Sequence, residues 1–148
     1  MSQSRHTERG FTLVELAVVV VIIGILAAFA VPKFLNSVER SKAAEAYNYM
    51  STIQTAQERY HARQGAYAAN MSALDVDLPS LEYFESTGIA ESDPQTLQTE
   101  WSMTLTRKGA SAGFGAYTVV FNQDGFDTEN STITEFPEIN PMQTKTAD

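Results

Sequence analysis

Glu15 is a carboxylate near the start of an otherwise apolar run, FTLVELAVVVVIIGILAAFAVP, from Phe11 to Pro32. A charge inside hydrocarbon costs roughly 2.5–3.5 kcal/mol on insertion scales, so it needs a partner or a task. No earlier residue of the run pairs with it, and the nearest cation, Arg9, lies beyond Gly10. Scission of the Gly10–Phe11 peptide supplies a partner. The new α-amino group of Phe11 falls close to Glu15, in the same chain or in a neighbouring copy. Removing one member of a buried ion pair costs about 3–5 kcal/mol because the other is stranded. The chemistry expected of Gly10, Phe11 and Glu15 is therefore cleavage followed by amine–carboxylate pairing.

Other residues offer less. Asp124, Asp127 and Glu129 fall within DGFDTEN, with Asn122 and Asn130 nearby. Calcium takes six to eight oxygens from such groups, so these are candidate ligands, but their spacing is not that of an EF-hand. An acidic turn in solvent is the alternative. The chain has no cysteine, which excludes disulfides, thiol catalysis and cysteine metal sites. There is no Gly-rich phosphate loop, and neither histidine sits in a recognisable catalytic context. No enzyme, no catalytic residue and, calcium aside, no cofactor is expected. Two sequons, Asn70-Met71-Ser72 and Asn130-Ser131-Thr132, are frequent chance matches.

The elements that position these groups follow from pattern. Phe11 to Pro32 would run about 33 Å as a helix, enough to cross a bilayer core. Gly24 and Pro32 bracket Ile25 to Val31, the weakest helical piece, since glycine is a poor helix former and proline removes a hydrogen bond. Arg5 and Arg9 precede the run, so the positive-inside tendency places that end in the cytoplasm. A conventional signal peptide or a permanent single-span anchor are the alternatives, and both leave Glu15 unexplained.

Residues 33–64 read as an amphipathic helix with Ala43, Tyr47, Met50, Ile53, Ala56 and Tyr60 near one face, and Gly65 follows as its stop. Glu45 is placed on the remaining surface. Asn36 and Ser37 are cap-type residues that suit a new helix after Pro32; a continuous helix is the other reading. Residues 65–100 read as an irregular loop with a helical turn at Met71 to Leu74 capped by Asn70. Strands are expected at Trp101 to Arg107, at Ala116 to Asn122 and within Thr128 to Phe136. Residues 137–148 read as an extended or disordered polar tail. The expected class is α+β, a long N-terminal helix on an antiparallel sheet of three to four strands.

The balance of 10 Lys plus Arg against 18 Asp plus Glu gives a net charge of −8. Without residues 1–10, which hold Arg5, Arg9 and Glu8, it becomes 8 against 17. An acidic balance argues against general nucleic-acid affinity, which needs basic patches, so no direct nucleic-acid partner is expected; a local basic stripe on an assembled surface is the alternative.

The segment RGFTLVELAVVVVIIGILAAFAVPKF, Arg9 to Phe34, resembles the class III leader of type IV pilins and of their relatives, the type II secretion pseudopilins. The resemblance is looser to about Leu81 and fades beyond. It implies a leader at 1–10, a filament-core helix at 11–32, the remainder of the helix at 33–64, an αβ-loop at 65–100, a sheet with C-terminal loop at 101–136, and a tail. It further implies cleavage by a prepilin peptidase after Gly10, methylation of the Phe11 amine and storage in the inner membrane. An assembly platform and an ATP-driven machine would then lift the subunit into a homopolymer through its N-terminal helix, ending in an extracellular pilus. In resembling filaments the piece between Gly24 and Pro32 can unwind. A pseudopilin of a periplasmic pseudopilus is the alternative.

Overall fold

In the computed structural model the described residues are 10–90, 93–109 and 113–143. The leader residues 1–9, with Arg5, Glu8 and Arg9, lie outside them, as do part of the turn after Arg107 and residues 144–148. The chain divides into two units, Met1–Leu35 and Asn36–Asp148.

One helix, α1, runs from Leu13 to Gln64 with Pro32 inside it, so its two halves are assigned as a single element. Ile25 to Val31 is helical throughout. In the first unit every large apolar side chain from Leu13 to Leu35 is exposed. By length and composition this helix is apolar and long enough to cross a membrane.

In the second unit, burial along α1 begins at Glu39 and continues through Ala43, Ala46, Tyr47, Met50, Ile53, Ala56 and Gln57. Those intervals of three and four residues make one stripe. The helix stops at Gly65, whose φ of 75° suits glycine and whose N–H donates to the His61 carbonyl at 2.8 Å. His61 and Arg63 in the last turn complement the helix dipole.

Four antiparallel strands follow in sheet order: β1 (Phe84–Ile89), β2 (Ser102–Arg107), β3 (Thr118–Asn122) and β4 (Gly125–Phe126). In β2, Met103, Leu105 and Arg107 are buried in strict alternation. Met103 and Leu105 pack in a core with Trp101, Phe84, Tyr117, Val119, Phe121, Ile133 and Ile139 and with the apolar residues of the α1 stripe. The β3–β4 turn brings Gly125, at φ 109°, against the helix. A Cβ there would lie 3.6 Å from Gln54 Nε2.

The structure corrects several expectations. The segment 65–100 is not wholly irregular: it contains β1, whose FESTGI hides its strand character behind a register shift between Ser86 and Ile89. Asn70 precedes a 3-10 turn at Met71–Ala73 but makes no side-chain cap bond. The second expected strand starts at Thr118 rather than Ala116. No strand forms within Thr128 to Phe136; a 3-10 turn occupies Thr132–Glu135. There the hydroxyls do the pairing. Thr118 N–H donates to Thr132 Oγ1 at 2.8 Å and Val120 N–H to Ser131 Oγ at 2.8 Å. Side-chain oxygens thus satisfy β3's edge without a backbone ladder.

The expected loose tail is also revised, because Ile139 and Asn140 are both 0% exposed. Asn140 Oδ1 accepts from the Tyr47 hydroxyl at 2.7 Å and from Met142 N–H at 3.0 Å. In a chain without cysteine, this polar clasp and the Ile139 side chain hold the C-terminal segment to the helix. Glu45, expected in solvent, instead accepts from Glu82 N–H at 2.8 Å and Tyr83 N–H at 3.0 Å, fixing the loop ahead of β1.

Gln57 anchors the other end of that loop. It is fully buried, donates from Nε2 to the Ala68 carbonyl at 3.0 Å and accepts Ala68 N–H at 2.8 Å. Gln57→Leu is expected to cost about 2–5 kcal/mol, because two buried backbone groups lose their partner. A thermal or denaturant transition of the chain in detergent that matches wild type would refute this role.

Candidate functional site

At the N-terminal end, Gly10, Phe11 and Thr12 precede the helix, and Phe11 is 83% exposed. The Gly10–Phe11 peptide therefore lies in non-helical backbone. Thr12 caps α1. Thr12 N–H donates to Glu15 Oε2 at 2.8 Å, Thr12 Oγ1–H to the same oxygen at 2.7 Å, and Glu15 N–H to Thr12 Oγ1 at 3.2 Å. This reciprocal pair is a capping box, and it satisfies orphan donors at the helix start. Sequence reasoning assigned Glu15 to the Phe11 amine alone. The Thr-x-x-Glu spacing was the signal for its second task. Gly24 and Pro32 lie within the helix, and neither interrupts it.

The second polar group is buried. Glu39 is 2% and Arg107 4% exposed. Arg107 Nε donates to Glu39 Oε1 at 2.6 Å and Nη2 to Oε2 at 3.2 Å, a bidentate pair. Tyr117 hydroxyl donates to Glu39 Oε1 at 2.9 Å, and Lys42 Nζ stands 3.6 Å from Oε2. Arg107 Nη1 also donates to the carbonyls of Tyr83, at 3.2 Å, and Lys108. The Glu39 hydrogen bond raises the Arg107 pKa against the opposing effect of burial. Desolvation raises that of Tyr117, with the Glu39 charge adding to it. The sequence reading missed this cluster. The strand parity that buries Met103 and Leu105 points to Arg107, but nothing local names its partner.

The acidic turn does not gather into a site. Asp127 Oδ1 accepts the backbone N–H of Glu129 and of Asn130, each at 3.0 Å. Its Oδ2 accepts Asn130 Nδ2 at 2.8 Å and Asn122 Nδ2 at 3.4 Å. Asp124 and Glu129 are exposed. Among the described residues, no group of three or more His, Cys, Asp or Glu is placed to hold a metal ion. Asp127 closes the turn. Of the sequons, Asn130 is committed to Asp127, and Asn70 is exposed.

The Asn130 amide, then the backbone N–H groups of Asn130 and Glu129 and the Asn122 amide, hold the Asp127 pKa below the ordinary carboxylate range. A depressed folded-state pKa means that the stabilisation is complete above the unfolded value, about 3.9, and is lost as pH falls through the lower folded value. Asp127→Ala is therefore expected to lower the thermal transition near neutral pH, with the gap to wild type closing below about pH 4. A gap that persists unchanged in acid would show that the turn does not depend on the charge.

An apolar helix exposed along its first unit, ahead of a helix-and-sheet domain, defines a class of subunit whose helix must be covered by lipid or by other helices. Comparison with known proteins agrees. The family described as "Prokaryotic N-terminal methylation motif" matches residues 5–31. The chain is 43% identical over 68 residues to the type IV major pilin protein PilA of Myxococcus xanthus, covering 46% of this chain and 31% of that protein. It is 38% identical over 72 residues to the fimbrial protein EcpC of Eikenella corrodens, covering 49% and 47%. These alignments thus span less than half the length of both relatives. A fimbrial protein of Pseudomonas aeruginosa aligns along nearly the whole chain, 32% identical over 139 residues and 88% of each. The chain belongs to the type IV pilin family.

Proposed function

We propose that this chain is a structural subunit that polymerises into a type IV pilus, with no catalytic activity of its own. The observation that carries the reading is the exposed apolar helix ahead of a folded domain, in a chain that aligns over 88% of its length with a fimbrial protein. Cleavage falls between Gly10 and Phe11, where the backbone is not helical, and the freed Phe11 amine is methylated. Glu15 then neutralises that amine within or between subunits through the carboxylate that Thr12 orients. Before assembly the subunit is held in the inner membrane with its N-terminus cytoplasmic. Afterwards its helices bundle in the core of an extracellular filament. A prepilin peptidase, an assembly platform and an ATPase-driven machine are the partners this route requires. The relatives named pilin or fimbrial protein favour a pilus over a pseudopilus.

The test is to shear cells, image the released material and sequence the N-terminus of its main protein. Long filaments of a chain starting at methylated Phe11 are expected. The same processed chain found only in the inner membrane would move the reading to a pseudopilin or a minor pilin. An uncut N-terminus in both fractions would overturn it.

A further inference from the structure

We propose that α1 carries a second, latent start at Asn36–Glu39, and that the Glu39–Arg107 pair is the stop at which unwinding of the helix from its N-terminal side halts. This inference stands apart from the reading of function above. It rests on the geometry of the subunit alone.

Four observations converge on the same turn. Pro32 has no N–H to donate, so the helix is one hydrogen bond short just before this stretch. Between Pro32 and Val38 no side chain is buried. Glu39 is the first buried residue of α1, and it is gripped by Arg107 at 2.6 Å and Tyr117 at 2.9 Å. Three and two residues before it stand Asn36 and Ser37, residues of the type that begin helices, and Glu39 would then be an acid in a first helical turn.

The consequence is a defined boundary. Each helical N–H pairs with the carbonyl four residues earlier. Unwinding through Val38 therefore frees amides up to Lys42. Ala43 is the first whose acceptor, the Glu39 carbonyl, stays in place. One residue more would swing Glu39 away from Arg107 and leave a guanidinium buried against carbonyls without its carboxylate. Fraying thus ends at this residue, and the helix left behind has its cap ready.

Hydrogen exchange read by mass spectrometry on the full chain in detergent tests this. Amides from Lys33 to Lys42 are expected to exchange about a hundredfold or more faster than those from Ala43 to Ile53. A wild-type boundary at any other place, or a smooth gradient, overturns the proposal. In Glu39→Ala the boundary is expected to move C-terminally by about one turn, toward Tyr47, while amides of β2 and β3 stay protected. If it does not move, the pair is not the stop. Should Glu39→Ala unfold the domain, seen as lost protection in β2 and β3, Glu39→Gln decides. That variant keeps an acceptor for Tyr117 and Arg107 but loses the charge. The boundary is expected to remain with a step smaller by about tenfold. A full-sized step would overturn the role of the ion pair.

Discussion

Glu15→Ala is expected to abolish incorporation into filaments while leaving membrane insertion intact. The direction follows from two opposite effects on one side chain. Insertion becomes easier, because a carboxylate worth roughly 2.5–3.5 kcal/mol of unfavourable transfer is removed. On the proposed route assembly becomes harder, because the freed Phe11 amine would enter the bundle of apolar helices with no counter-charge, a cost of about 3–5 kcal/mol per subunit. At 1.4 kcal/mol per decade this corresponds to a loss of roughly a hundredfold or more in addition of each subunit. Thr12→Ala separates the two tasks of Glu15. It removes the hydroxyl that closes the capping box and keeps the carboxylate, and a lost cap costs about 0.5–2 kcal/mol. Reduced but detectable filaments are therefore expected from Thr12→Ala, against none from Glu15→Ala. Sheared-filament yield and membrane fractionation read both outcomes. Normal filaments from Glu15→Ala would show that amine–carboxylate pairing does not drive assembly.

Arg107→Met is expected to be the most damaging single change in the folded domain. It removes the bidentate partner of Glu39, which is 2% exposed and is also contacted by the Tyr117 hydroxyl at 2.9 Å and by Lys42 at 3.6 Å. Breaking such a pair costs about 3–5 kcal/mol, a large share of the 5–15 kcal/mol that typically separates a folded domain from its unfolded chain. The double variant Glu39→Met/Arg107→Met is expected to recover most of the loss, because replacing a buried pair by apolar side chains of similar volume is often neutral. Arg107→Lys is not expected to rescue, since a single ammonium cannot make the two parallel bonds to Glu39 and the carbonyl bonds of the guanidinium together. Denaturant unfolding of wild type, Glu39→Met, Arg107→Met and the double variant measures the cycle, with Arg107→Lys read beside them. Equal stability for Arg107→Met and wild type would mean that Glu39 is satisfied without the arginine.

These two residues also mark the limit of what could be read from the chain. Phe11 to Pro32 announced itself because an uninterrupted apolar run admits few fates, and Glu15 stood out by violating it. The stripe from Ala43 to Ala56 and the alternation in Ser102–Arg107 are local periodicities, so they were legible too. The capping box was equally local and was overlooked because Glu15 already had a task. Other features were out of reach for a physical reason. Glu39 and Arg107 are 68 positions apart, and no rule of spacing joins them. The strand Phe84–Ile89 is irregular by itself and becomes a strand by pairing with Ser102–Arg107. Around Ser131 and Thr132, β-like composition ended as a turn because hydroxyls took the bonds a strand would have made. The C-terminal segment looked loose by composition, yet Tyr47 and Asn140, 93 positions apart, draw it into the core. What the sequence by itself determined is the apolar helix, its misplaced charge and the periodic faces, since each depends on neighbours along the chain. The pairing of buried polar groups was decided only by tertiary structure, because a buried charge or amide is satisfied by whatever the fold brings to it.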